Sequence, residues 1–130
     1  MIAADTNVLV RVLTNDDPAQ ASRAMKLLRS DQVWVSRTVL LETEWVLRHA
    51  YGLDAAAIGR AFTTLAGVPL IELENRPAVL QALAWHAAGM DFADALHLAS
   101  SDTASAFATF DRALVKTAKK VGATPPIFVP

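Results

Sequence analysis

A chain of 130 residues with 53% hydrophobic content supplies one proper core and little for a second, so a single domain over residues 1–130 is expected. The absence of cysteine excludes disulfides, thiolate chemistry and cysteine-held zinc, and a reducing, cytoplasmic setting fits best. A net charge of −1, from 12 Lys and Arg against 13 Asp and Glu, gives no global electrostatic footprint of a nucleic-acid binder.

No basic stretch followed by a long apolar run opens the chain, and no apolar run reaches the roughly 18 residues of a membrane helix. Neither a signal peptide nor a membrane partner is expected. Taken in order, residues 2–4 read as a first strand and 7–13 as a short helix. Asp17 and Pro18, a cap followed by proline at the first helical position, announce a second helix to about residue 29. Residues 33–35 form the next strand. Ser36 can cap a helix over 37–51, with Gly52 placed for a left-handed C-cap. Asp54 opens another helix, closed by Gly67 and Pro69, before a strand at 69–73. Asn75 and Pro77 start a helix that runs to about residue 86 and ends at Gly89. Asp91 caps a helix to about residue 103, 106–109 form a strand, 111–121 a last helix, and 127–129 a last strand. Strands alternating with helices imply parallel pairing through crossovers. The expected fold is α/β, a three-layer α/β/α sandwich around a central, mainly parallel five-stranded sheet.

In such a sheet ligands bind beyond the carboxyl ends of the strands. Asp5 follows the first strand in M-I-A-A-D-T-N, and Asp111 follows the fourth in A-F-A-T-F-D. Each also precedes a helix, so an N-cap and a functional acid are both open for each. On the helix over 37–51, Val39, Thr43, Val46 and Ala50 share one narrow stripe at about 100° per residue, with Glu42 on its flank. Glu44 and Arg48 fall on the opposite side as a solvent-facing pair four apart, so Glu42 is expected to lean inward and Glu44 outward. Asp91 and Asp94 open D-F-A-D-A-L-H-L-A-S; Asp91 fits an N-cap, and Asp94 is either a first-turn acid or one that projects toward the strand ends. Convergence of Asp5, Glu42, Asp94 and Asp111 on one edge would crowd four carboxylates, which must be neutralised by raised pKa values or by cations. Hard oxygen ligands without cysteine select Mg²⁺ or Mn²⁺, and paired metals at such acids suit phosphodiester cleavage.

With these residues in place the sequence resembles the PIN-domain ribonucleases, and among them the VapC toxins of bacterial and archaeal toxin–antitoxin pairs. The resemblance is carried by D-T-N-V-L-V from Asp5, V-L-L-E-T-E around Glu42, D-F-A-D-A-L-H-L-A from Asp91, and A-T-F-D-R-A-L around Asp111. The four motifs keep the family's order and cover nearly the whole chain. The resemblance implies that Asp5, Glu42, Asp94 and Asp111 form an acidic quartet that holds Mg²⁺ or Mn²⁺ and cleaves RNA. It also implies that Asn7 and Thr109 support the acid-bearing loops, beside their plain alternative as turn residues, and that Asp91 is a frequent but less constant acid, ranked here as a cap before a ligand. A homodimer, and inhibition by a VapB-like antitoxin lying across an apolar groove, belong to the same implication; Leu41 and Trp45 are candidates for such a contact.

Competing readings fall on single positions. A haloacid dehalogenase-like phosphatase needs an aspartate where Asn7 stands. A receiver module needs a lysine just after its last strand, and none follows Lys120. An inactive PIN interaction module should have lost acids. Arg112, Lys116, Lys119 and Lys120 remain open between a solvated helix face and a phosphate-facing patch, and His49, His86 and His97 have neither a cysteine nor a G-x-S-x-G serine to activate.

Overall fold

The structure is a computed structural model that describes every residue, Met1–Pro130. The chain folds as two compact units, Met1–Arg76 and Pro77–Pro130. No helix is long and apolar enough to cross a membrane.

The first unit is a parallel three-stranded sheet with two helices in each crossover. Strand β1 (Ile2–Ala3) is followed by α1 (Thr6–Thr14) and α2 (Pro18–Ser30), then β2 (Val33–Val35), α3 (Arg37–His49), α4 (Ala55–Ala66) and β3 (Ile71–Leu73). Hydrogen bonding orders the strands β1-β2-β3, with Ile2 opposite Val33 and Val33 opposite Ile71. Central β2 buries Val33 and Val35 completely, and Leu9, Leu40, Leu47, Ile58, Phe62 and Ile71 complete this unit's core. A parallel pair cannot be closed by a hairpin turn, which is why each strand hands over to helices.

The second unit contains α5 (Arg76–Ala87), whose first residue closes the first unit, then α6 (Phe92–Ala99), β4 (Phe107–Ala108), α7 (Arg112–Val121) and β5 (Ile127–Phe128). Strands β4 and β5 pair in parallel across α7, a single-helix crossover. Val79, Ala82, Met90, Phe92, Leu98 and Leu114 are buried here, and the buried His86 ring meets Phe92 edge-on with centroids 5.5 Å apart.

All five expected strands are present and every pairing is parallel. The ladders, however, close as three strands and two rather than as one continuous five-stranded hydrogen-bonded sheet. Strands of two or three residues offer few N–H and C=O groups for further pairing. Helix starts follow the expected caps: Asp17, Ser36, Asp54, Asp91 and Asp111 each accept a bond from the N–H three residues on. Helix ends depart more. Helix α6 stops at Ala99 instead of running to residue 103, with a short turn through Ser100 and Ser101. Helix α3 ends on Ala50, and Gly52, at a φ of 62°, turns the chain two residues later than the cap position.

The expected orientation of α3 needs correcting. Its core stripe is Leu40, Thr43, Glu44 and Leu47, about 80° around the helix from the stripe expected. Glu44 is therefore not on the solvent side: it is only 3% exposed. The i,i+4 pairing with Arg48 is nevertheless present, with Arg48 Nε donating to Oε2 at 2.9 Å and Nη2 to Oε1 at 3.2 Å. The guanidinium bridges from a half-exposed position to a carboxylate that has left water, so the bidentate pair compensates a burial that is otherwise costly. At the other end of α3, Glu74 just after β3 accepts from the Arg37 N–H at 2.9 Å, and this bond to the helix N-terminus holds the Glu74 carboxyl below its usual range.

Replacing Arg48 by alanine should cost about 2 kcal/mol in urea unfolding, below the full cost for a pair buried on both sides because Arg48 is partly solvated. Adding Glu44→Leu to that variant should recover most of the loss. A recovery of nothing would show that the buried carboxylate is not what Arg48 compensates.

Candidate active site

The acid-bearing loops form in both units at the ends where strands hand over to helices. In the first unit, Asp5 follows β1 and occupies the cap position of α1. Its Oδ1 accepts from the N–H of the next residue, Thr6, at 2.8 Å. The five other capping side chains bind the N–H three residues on, so Asp5 alone gives its helix no such bond. A weak cap at a sheet edge leaves most of the carboxylate's hydrogen-bonding capacity unspent.

Thr6 is buried and its hydroxyl donates to Oε1 of Glu42. This bond spans 36 positions of sequence and ties the loop after β1 to α3. Glu42 is exposed, and the inward lean expected for it takes this specific form: it turns toward α1 while the apolar stripe of α3 faces elsewhere. Val46 and Ala50, placed in the core by periodicity, instead line a cleft of about 380 Å³ together with Asp5, Thr6, Asn7, Val10, Arg11, Glu42 and Tyr51. Half of the stripe that reads as core from sequence is the wall of this cleft, while Thr43 stays in the core.

One end of the cleft is polar. Arg11 donates to Asp16 at 3.0 Å and to Gln20 at 2.7 Å, Thr14 donates to Asp16 at 3.1 Å, and the Tyr51 hydroxyl also donates to Asp16. The Tyr51 bond is the largest cause holding the Asp16 carboxyl below its usual range. Asn7 is exposed and lines this cleft and a neighbouring one, bordered by Arg11, Gln20 and Arg23 between α1 and α2. The tie to the second acid is thus made by Thr6 and not by Asn7.

In the second unit, Asp91, Asp94 and Asp111 line a smaller cleft of about 270 Å³ with Met90, Ala113, Leu114 and Thr117. Asp91 is the N-cap of α6, its Oδ2 accepting from the Asp94 N–H at 3.1 Å. Asp111 is the N-cap of α7, its Oδ1 accepting from the Leu114 N–H at 3.1 Å. The Thr109 hydroxyl accepts from the Asp111 N–H at 3.0 Å and sets the turn on which that acid sits. Asp94 makes no capping bond. Burial foremost, then the charges of Asp91 and Asp111, pushes its carboxyl above the usual 3.8, while His97 acts in the opposite direction.

Asp5 and Glu42 are therefore brought to one cleft of the first unit, and Asp91, Asp94 and Asp111 to one cleft of the second. No three His, Asp or Glu side chains stand close enough to hold a metal ion by themselves. Of the histidines, His97 is exposed on α6 and His49 stacks on exposed Trp45 with ring centroids 4.5 Å apart. The contributions of Thr6 and Tyr51 are hard to read from sequence, since their partners lie 36 and 35 positions away, although Thr6 itself stands inside the D-T-N-V-L-V motif.

A family model described as PIN domain matches residues 2–120. No curated protein shows a significant match to the chain.

The raised Asp94 pKa fixes a sign. A carboxyl that binds its proton more tightly folded than unfolded lowers stability as pH rises from the usual 3.8 through the raised value, and the deficit persists at neutral pH. In chelator, Asp94→Asn should therefore melt at a higher temperature than the parent at pH 7, and the gain should vanish below about pH 3.8. Melting curves across that range that stay parallel would show that Asp94 does not feel its neighbours.

Proposed function

The chain belongs to the PIN domain family, whose members are typically nucleases, and from that premise we propose that it is a metal-dependent endoribonuclease in which Asp5, Glu42, Asp94 and Asp111 serve one phosphodiester. The observation that carries the reading is how these acids are held. Asp5, Glu42 and Asp111 each use one oxygen in a hydrogen bond that fixes the loop or helix, which leaves the second without a protein partner, and Asp94 uses neither. Carboxylates that are positioned yet unsatisfied suit ligands for a cation.

The donor set fits Mg²⁺ or Mn²⁺ by its chemistry. All donors are hard oxygens, and Mg²⁺ is commonly held by one or two carboxylates together with waters and substrate phosphate, so pairs of acids suffice without a group of three. When bound, such an ion supplies water activation and stabilises the leaving oxygen. The protein's own residues supply position. Thr6 keeps the Glu42 carboxylate turned toward the Asp5 loop, and Thr109 and the α7 N-terminus fix Asp111. Burial and two neighbouring acids raise the proton affinity of Asp94, so a cation in that cleft would compete with a proton there.

The same reading takes the protein as the toxin of a toxin–antitoxin pair, working in the cytoplasm as a homodimer, with a VapB-like antitoxin as its inhibitor. On the protein's side, the toxin reading is supported by Trp45, 56% exposed on α3 beside His49, an aromatic surface of the kind a partner covers.

Purified protein should cleave RNA with Mg²⁺ or Mn²⁺ and lose that activity in excess chelator. Asn or Gln at Asp5, Glu42, Asp94 or Asp111 should each lower cleavage by at least about 100-fold, the upper range for residues that merely support a metal site. Cleavage that persists in chelator refutes the metal-dependent mechanism. Expression alone should arrest growth, and co-expression of the product of an adjacent small gene should relieve it; growth unaffected by a verified active nuclease refutes the toxin assignment.

A further inference from the structure

Helix α7 carries four cations, Arg112, Lys116, Lys119 and Lys120, and all four are exposed. At about 100° per residue they fall within roughly 100° of the helix circumference and extend about 12 Å along it. Leu114 and Ala118 are buried on the far side, and Ala113, Thr117 and Leu114 line the Asp91, Asp94 and Asp111 cleft, which lies between that buried side and the cations. The cation stripe thus runs along the rim of the acid cleft. None of the four makes an ion pair with the protein.

Ordinary helix electrostatics accounts for only half of the stripe. Lys119 and Lys120 lie in the last turn, where the macrodipole favours cations. Arg112 is the first helical residue, at the end where a cation is disfavoured, and Lys116 gains nothing from the dipole at mid-helix. Immediately before the helix, Phe110 is 78% exposed between Thr109 and Asp111, the most exposed of the large apolar side chains. An aromatic ring left in water beside an acid cleft, with a row of unpaired cations leading away from it, combines the two elements of a single-strand nucleic-acid track: a stacking platform and a charged path. An acidic peptide would match the cations but give Phe110 no flat partner.

We propose that Phe110 and the α7 stripe bind single-stranded nucleic acid, with a base stacked on Phe110 and successive phosphates taken by Arg112, Lys116, Lys119 and Lys120. The proposal rests on the nuclease reading above and deepens it, by giving the substrate a path to Asp94 and Asp111. It also resolves a difficulty of charge. A cleft of three acids repels a polyanion, and a chain of net charge −1 has no general field to overcome that repulsion, so attraction must come from cations gathered at the cleft. Phosphate contacts and stacking do not see the sugar, so RNA and DNA single strands share the track.

The test is fluorescence anisotropy with labelled oligouridylate and oligothymidylate of about 12 nucleotides, in the range bound by single-strand modules, with chelator present to prevent cleavage. Lys116→Gln, Lys119→Gln and Lys120→Gln together should weaken both complexes and make the slope of log K against log salt shallower by about 2. Phe110→Ala should weaken binding about 5- to 100-fold with the slope unchanged. The same charge removal at exposed Lys26, Arg29 and Arg60 should leave both measurements as in the parent. Equal loss in that control, a loss confined to RNA, a change of oligomeric state in Phe110→Ala without loss of affinity, or stripe-dependent binding of polyglutamate in place of oligonucleotide would each overturn the proposal. Cleavage assays separate the two readings. A protein that binds along α7 but cuts nothing with Mg²⁺ or Mn²⁺ refutes the nuclease and keeps the track; one that cuts RNA while the stripe variants bind as the parent does refutes the track and keeps the nuclease.

Discussion

A strand paired in parallel with its predecessor cannot be reached by a tight turn, because the chain must first travel back to the end from which it began. Each strand of the sheet β1-β2-β3 therefore releases the chain at the same edge, into a loop that starts a helix, and the β4-α7-β5 crossover repeats the arrangement. Loops that begin helices attract aspartate and serine for capping. The constraint on pairing thus concentrates short polar side chains at strand ends before any chemistry is asked of them. Asp5, Ser36, Glu74 and Asp111 all occupy such places.

Capping and ligation are usually set against each other, but a carboxylate has two oxygens and a cap consumes one. Asp111 shows the compatible case: Oδ1 meets the Leu114 N–H, the Thr109 hydroxyl takes the Asp111 N–H, and the remaining oxygen keeps its lone pairs. The helix then works as an orienting device. The N–H of Leu114 in its first turn fixes the direction of the carboxylate. Asp94 lies in a different environment, without a cap bond and partly withdrawn from water beside two other acids, which is why its affinity for a proton is displaced while the displacement is traceable to named neighbours.

The order of elements is legible in the sequence because it rests on local signals: caps three residues ahead of their N–H partners, apolar bursts of strand length, and glycines near helix ends. The acids at strand ends are legible for the same reason. What sequence alone misplaces is rotation and continuity. Periodicity on α3 selects a stripe through Val39, Thr43, Val46 and Ala50, yet Val46 and Ala50 line a cleft, and the core takes Leu40, Leu47 and the charged Glu44. An apolar residue facing a cleft and one facing the core look alike in a helical pattern, and a buried glutamate looks exposed until its arginine is seen to reach it. Thr6 escapes a reading that favours Asn7, because its partner Glu42 lies on another helix. The division into three-strand and two-strand ladders depends on strand lengths of two or three residues, below what a hydrophobic burst can define.

The buried stripe of α3 bears on more than stability. Glu44 and Arg48 belong to the same helix and turn with it, so their pairing satisfies a buried carboxylate without fixing the helix's rotation. The rotation is set by what α3 meets outside itself: Leu40 and Leu47 are buried, and Glu42 accepts from Thr6 of α1. A turn by one residue, about 100°, would carry Leu40 and Leu47 out of the core and swing Glu42 out of reach of Thr6. The core side of the helix therefore acts as a set-screw on a shaft: it touches nothing at the cleft, yet it fixes the angle at which the Glu42 carboxylate is presented there. The pair itself constrains the order of change: losing Arg48 first strands a buried carboxylate, whereas losing Glu44 first leaves a cation that water already reaches, so a lineage altering this helix has its open route through Glu44.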